Sequence, residues 1–215
     1  MIKKVIAAAL VTVISSQADA ATFNGFGFGF NGGVLMAHNK LSHTVAGFSK
    51  IKSANKTRGI FGMQFDYEMS KTNSLYSRIG VTLSLPAGKV SSTTRVAGQN
   101  DIKFTAKNGL MTELQAAMGY NAGTDVVAYG LVGLSVSKKT YSLSQGNVKS
   151  SHSKTKVSPV LGLGMIKKVN NNFSVGVEYK HTFEPGLKYV NKFTGQKSKI
   201  DSNSDVVLAR VSYHF

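Results

Sequence analysis

The 215-residue chain contains no cysteine. That excludes a disulfide framework, a thiolate metal site and a cysteine nucleophile. No apolar run approaches the roughly 20 residues that a membrane-spanning helix needs, so a bilayer crossing would have to be made of strands. No histidine pair stands at i,i+4 and there is no H-E-x-x-H, which removes the helical zinc-site pattern. Acids are scarce: 10 Asp and Glu against 26 Lys and Arg, for a formal net charge of +16.

The chain opens "MIKKVIAAALVTVISSQADAA". Lys3 and Lys4, an apolar run over residues 5–14 and the small-x-small site Ala18-Asp19-Ala20 together describe a cleavable secretory signal. The expected organisation is a signal peptide at 1–20 and one exported domain at 21–215.

The other end, "DVVLARVSYHF", alternates apolar Val207, Ala209, Val211, Tyr213 and Phe215 with Val206, Leu208, Arg210, Ser212 and His214. This is the period of a strand whose two faces meet different environments. "GIFGMQFDYEM" sets Phe61, Met63, Phe65, Tyr67 and Met69 against Gln64, Asp66 and Glu68. "SLYSRIGVTLSL", "GLMTELQAAMGYN" and "NFSVGVEYKHTF" repeat the design, with Arg78, Glu113, Glu178 and Lys180 on the polar side. Three further stretches, "FNGFGFGFNGGVLMA", "VVAYGLVGLSVSK" and "VSPVLGLGMIKKV", are of strand length without two readable faces.

These make eight strands, joined alternately by short turns ("SKTN", "NAGTD", "KKVNNN") and stretches of about 20 residues, the connectivity of an up-and-down barrel. A soluble barrel would keep its apolar face inside. Here the other face carries Asp66, Glu68, Arg78, Glu113, Glu178, Lys180 and Arg210, four acids and three bases, which reads as a paired network filling a narrow lumen. The apolar face is therefore expected to meet lipid. Closure leaves no backbone group unpaired in hydrocarbon, and Tyr67, Tyr120, Phe173, Tyr213 and Phe215 fall beside the short turns, as an interfacial aromatic belt would. The expected fold is all-β: an eight-stranded antiparallel up-and-down transmembrane β-barrel.

The terminal strand, with Val211, Tyr213 and Phe215, resembles the assembly signal of Gram-negative outer-membrane barrels. The whole exported chain resembles their small eight-stranded members, the OmpA/OmpX/Ail-type and opacity-like surface proteins, and "GLGMIKKVNNNFSVGVEYKHTF" is similar to the penultimate hairpin of that group. The resemblance implies residence in the outer membrane, insertion by the barrel-assembly machinery, contact with lipopolysaccharide, and adhesion or serum resistance through extracellular loops. A peptidoglycan-binding domain is not expected after Phe215.

"GFGFNG" (Gly27, Gly29, Gly32) matches G-x-G-x-x-G by letter but lacks the strand–helix context of a dinucleotide site. Its glycines are better read as making room for long lumenal side chains. None of His38, His43, His152, His181 and His214 is followed two residues later by Ser, the pattern of the lipid A deacylases, and a charged interior does not suit the acyl chain of a palmitoyl-transferring barrel. His181 falls on the lipid-side register near the outer end of its strand. The reading is of a protein with no enzymatic activity, no cofactor and no metal site; a narrow pore and a lipid-modifying enzyme are the alternatives.

The four long connections, 38–58, 86–107, 138–156 and 184–204, hold 18 Lys and Arg against only Asp101, Glu184 and Asp201. Basicity is thus a property of the outer surface. Lys50, Lys52, Lys56, Arg58, Lys138, Lys139, Lys149, Lys154 and Lys156 are the candidate polyanion-binding residues, and lipopolysaccharide, host glycans, or serum and matrix proteins are the candidate partners. Export and the absence of interleaved aromatics argue against nucleic acid. An apolar tip at residues 43–48 is a second candidate binding surface.

Overall fold

The computed structural model describes residues 24–45, 48–70, 75–88, 90–94, 102–121, 126–145, 148–190 and 197–215. The expected signal segment, 1–20, and most of the turns "SKTN" and "NAGTD" lie outside the described residues, as does the middle of the apolar tip. Nine strand segments are present: β1 (Asn24–Val45), β2 (Phe48–Ser70), β3 (Leu75–Pro86), β4 (Val90–Thr94), β5 (Ile102–Asn121), β6 (Val126–Gln145), β7 (Val148–Lys168), β8 (Phe173–Val190) and β9 (Lys197–His214).

All neighbours are antiparallel. The order β3-β2-β1-β9-β8-β7-β6-β5-β4 is closed by pairing of β3 with β5. Because β4 pairs with the outer part of β5, beyond the stretch that pairs with β3, the two short segments share one place in the wall and the barrel has eight strands. Their break follows from Pro86, which has no N–H to give the ladder, and from Gly88, whose φ of 75° favours glycine. Ala87 N donates to Gly59 O across the break (2.8 Å).

Side chains alternate across the wall. In β9, Ser204, Val206, Leu208, Arg210, Ser212 and His214 are buried inside, while Val211, Tyr213 and Phe215 are exposed on the outer surface. The same holds for Gln64, Asp66, Glu68 and Ser70 inside β2 against Phe61, Met63, Phe65, Tyr67 and Met69 outside. The strands without two readable faces now have them: β6 turns Val127, Tyr129, Leu131, Ser135, Ser137 and Lys139 inward, and β7 turns Lys156, Ser158, Val160 and Ile166 inward. In β1, Gly27 and Gly29 face the lumen. A Cβ at Gly29 would lie 2.6 Å from Ser212 Oγ, so glycine there accommodates the polar side chains of its neighbours.

Two expectations need correction. Three of the long connections are largely strand: β1–β2 pairing continues to Val45 and Phe48, β6–β7 to Gln145 and Val148, and β8–β9 to Val190 and Lys197. The fourth contains β4. About 9–11 residues cross a bilayer, so strands of 18 to 23 residues carry paired ribbons well beyond the lipid. Ser, Thr, Lys and Asn on both faces leave no hydrophobic alternation to read, although the backbone remains paired. The interior is also not charged throughout. Leu35, Ala37, Ile60, Met111, Val206 and Leu208 form an apolar layer in the outer half of the lumen, and Tyr76, Ala117, Val127, Tyr129, Leu131, Val160 and Ile166 form another.

Candidate functional site

The inward charges come from five strands and meet in one array. Arg210 on β9 sits at its centre: Nη2 reaches Asp66 Oδ2 (2.9 Å) and Glu68 Oε1 (3.0 Å) on β2, Nη1 reaches Glu178 Oε1 (3.3 Å) on β8, and Nε donates to Ser212 Oγ (3.1 Å). Arg78 on β3 bonds Glu178 Oε1 at 2.8 Å, with side chains 0% and 1% exposed. Lys180 on β8 pairs with Glu113 on β5 (2.8 Å) and Glu178 (3.2 Å), and donates to Gln115 Oε1 (3.1 Å). Burying a charge is tolerable only where partners and hydrogen bonds replace water. Here each of the four carboxylates has a cation within salt-bridge distance.

Tyr129 on β6 belongs to the same array and was not legible in the sequence. Its hydroxyl donates to Glu178 Oε1 (2.7 Å), and the Arg78 guanidinium lies 4.8 Å from its ring centroid. Gly164 on the adjacent β7 leaves the space that this ring occupies. Gln64 joins Asp66 (3.1 Å) to Ser212 (3.2 Å), and Gln115 donates to Thr82 Oγ1 (3.2 Å). Above this array, Ile60, Ser84, Met111, Glu113, Lys180, Thr182, Val206 and Leu208 enclose a void of about 20 Å³. That is room for about one water molecule and not for an acyl chain.

The candidate polyanion residues divide by face on β6, where Lys138 and Lys139 are adjacent, and by height on β2 and β7, where Lys56 and Lys154 lie two residues further out than Arg58 and Lys156 on the same register. Lys56, Lys138 and Lys154 are exposed, whereas Arg58, Lys139 and Lys156 are buried and turn inward at the outer mouth. Lys139 pairs with Glu184, and Lys156 Nζ lies 3.9 Å from the same carboxylate. The side chains of Lys50, Lys52 and Lys149 lie outside the described residues.

A third cluster stands on the outer surface, above the apolar band. Asp205 accepts from Tyr179 OH (2.6 Å) and meets His181 Nδ1 (2.7 Å) and His38 Nε2 (3.0 Å), while the His181 ring packs edge-on against Phe183. Burial opposes the charge on Asp205, but the hydrogen bonds from Tyr179 and His181 outweigh it and hold the carboxyl below its usual range. His181 keeps the outward register read from the sequence and there partners Asp205. Among the described residues no group of three or more His, Cys, Asp or Glu is arranged to hold a metal ion.

At the opposite end the chain terminus is stitched into the wall. Phe215 N donates to Phe26 O (3.0 Å), His214 N to Asn172 O (2.7 Å), and Asn172 Nδ2 to His214 O (3.0 Å). Tyr213 contacts the rings of both Phe173 and Phe215, and Phe26 contacts Tyr67, so the expected belt residues Tyr67, Phe173, Tyr213 and Phe215 all engage an aromatic neighbour. Tyr120 is exposed on the same outer face.

Nothing among the curated proteins matches the chain. Among solved structures it is similar to OprG of Pseudomonas aeruginosa (17% identity, TM-score 0.54, 90% of this chain and 98% of that one). It is also similar to the outer membrane protease OmpT of Escherichia coli (9%, 0.52, 94% and 100%). A third is Ail, the attachment invasion locus protein of Yersinia pestis, solved in complex with the heparin analogue sucrose octasulfate (16%, 0.47, 89% and 99%). At these identities the likeness concerns the fold alone. The family described as outer membrane protein beta-barrel domain matches residues 5–215. With a closed eight-stranded wall, an apolar outer face and a paired polar lumen, the chain belongs to that family and resides in the outer membrane of a Gram-negative bacterium.

Proposed function

We propose that this barrel is a non-enzymatic surface protein whose basic extracellular ribbons bind polyanions, with the transmembrane wall and its buried array serving as scaffold. The observation that carries this reading is the separation of charge. Four acids and three bases pair with one another inside the wall, one acid in excess, while the connections beyond it hold 18 bases against three acids. Lys56, Lys138 and Lys154 stand exposed on those ribbons. The lumen carboxylates are engaged by Arg78, Lys180 and Arg210, which supports a structural role for them over an acid–base one.

The nearest polyanion is lipopolysaccharide; sulfated host glycans and acidic serum or matrix proteins are the next. Attraction between exposed charges is screened over about 8 Å at physiological salt, so binding through the ribbons falls steeply as salt rises. The test is binding of folded, detergent-purified protein to immobilised heparin and to lipopolysaccharide across a salt series. Wild type is compared with Lys50, Lys52, Lys56, Lys138, Lys149 and Lys154 together changed to Gln. Loss of binding in the variant supports the reading. Salt-independent binding that the variant retains overturns it and favours the apolar tip at residues 43–48, which Phe48→Ser then tests.

A further inference from the structure

We propose that the outer mouth of the lumen is a discrete seat for one sulfate- or phosphate-type oxyanion, with Arg58 as its anchor. The site stands on its own geometry and rests on the polyanion reading only for the source of the anion.

Three cations converge on this mouth from different strands: Arg58 of β2, Lys139 of β6 and Lys156 of β7, only 8%, 7% and 4% exposed. They share one carboxylate, Glu184 of β8, which pairs with Lys139, lies 3.9 Å from Lys156 Nζ and acts on Arg58 electrostatically. Among the described residues the group is therefore two positive charges in excess. This contrasts with the array below it, where acids outnumber bases by one.

Arg58 adds the second observation. Its Nε and Nη1 are buried with no hydrogen-bond partner, although leaving a buried donor unsatisfied is costly, and more so when it is charged. Glu184 does not relieve it, since that carboxylate is engaged by Lys139. Glu184 continues the inward register of Glu178, Lys180 and Thr182, and the strand register breaks only beyond it, between Glu184 and Leu187. An incoming oxyanion supplies the acceptors and the charge that the mouth lacks. Inward hydroxyls of Ser137, Thr182 and Ser204 are buried at the same end of the lumen.

The floor fixes the stoichiometry. Ile60 lies two residues below Arg58 on the same face, within the layer of Leu35, Met111, Val206 and Leu208. An anion entering from outside stops on this apolar floor, where low polarity strengthens its attraction to the three cations. A single tetrahedral group of a sulfated glycan, or a phosphate, fits such a dead-end mouth. Lipid phosphates on the far side of the wall do not reach it.

The test is an NMR titration of detergent-solubilised protein, reading the Arg58 Nε–H resonance against sodium sulfate or phosphate at ionic strength held constant with sodium chloride. The expected result is a saturable shift that is reproduced by a heparin disaccharide and absent with lipopolysaccharide. Lys156→Gln is expected to weaken sulfate affinity about tenfold, the loss of one charge-assisted hydrogen bond. Arg58→Gln, followed through the Lys139 and Lys156 Nζ resonances, is expected to remove the saturable response. Arg58→Lys keeps the charge if that variant fails to fold. Lys168→Gln, at the opposite end of the barrel, removes the same charge and is expected to change nothing. A linear shift in wild type, or a saturable one that persists in Arg58→Gln and Lys156→Gln, overturns the seat. A saturable sulfate response that Arg58→Gln leaves unchanged, with heparin binding lost in the six-lysine variant, would refute the mouth and leave the ribbon reading standing. Loss of heparin binding in the six-lysine variant with the sulfate shift intact is expected if both hold. Retained heparin binding in that variant refutes the ribbons alone.

Discussion

At the residue scale, Arg210 and Asp205 illustrate two different uses of charge. Arg210 reaches Asp66, Glu68 and Glu178 with no exposed side-chain area, so Arg210→Ala leaves carboxylates without their cation at a cost of about 3–5 kcal/mol. Glu178→Ala in the same chain removes one of the three carboxylates that Arg210 engages, the one that Arg78 and Lys180 also hold. The double variant is then expected to lose less stability than the sum of the single losses, measured by urea unfolding in detergent or lipid. Additive losses would mean that the 3.3 Å contact carries no coupling. Asp205 is a surface group with a pH signature. Because its folded carboxyl titrates below its unfolded value, its contribution to stability is present above about pH 4 and disappears as pH falls through the folded value. Wild type is expected to be more stable than Asp205→Asn at pH 7, and the gap is expected to close on acidification toward pH 3. A gap independent of pH would assign the effect to packing.

At the element scale, the terminal strand is part of the wall, and its resemblance to an assembly signal makes a prediction. β9 closes the barrel against β1 and β8 through Phe215, His214 and Asn172, so deleting Phe215, or changing Tyr213 and Phe215 to Ser, removes interfacial anchors from the strand on which closure depends. The expected outcome is less protein in the outer membrane and less of the compact, heat-modifiable form on cold SDS gels. Wild-type amounts of both would separate assembly from the terminus. This strand, together with β2, β3, β5 and β8, was legible because charged residues punctuate an apolar alternation, and the same punctuation revealed the buried charges. The faces of β1, β6 and β7 were not legible. Gly27 and Gly29 offer no side chain to classify, and Val127, Leu131, Val160 and Ile166 are apolar residues facing the lumen, which erases the contrast with lipid. For the same reason Tyr129 escaped notice. In the ribbons the contrast vanishes in the opposite sense: Lys138 and Lys139 are adjacent and equally polar, and only the paired backbone decides that one points to solvent and the other to the mouth.

At the scale of the whole molecule, the lumen is a stack of an outer cationic mouth, an apolar layer, the salt-bridge array and the Tyr76–Tyr129 aromatic pair, whose centroids are 5.7 Å apart. An eight-stranded barrel has an interior just wide enough for side chains to fill, and Arg210, Tyr76, Gln64, Gln115 and Glu68 fill it without solvent exposure of 2% or more. Ion passage would require the array to open, and opening separates Arg210 and Arg78 from Glu178 together, since both bond the same Oε1. The protein in a planar bilayer is therefore expected to show no steady open level. Arg78→Ala combined with Arg210→Ala removes the two guanidinium groups that tie Glu178 to β3 across the barrel and to the neighbouring β9, and leaves space where they stood. That variant is expected to give discrete openings, cation-selective because Asp66 and Glu68 lose their guanidinium partner while Glu178 keeps only Lys180. Steady ohmic conductance in wild type, equal to that of the double variant, would show that the array does not seal the lumen and would turn the functional reading toward a narrow pore.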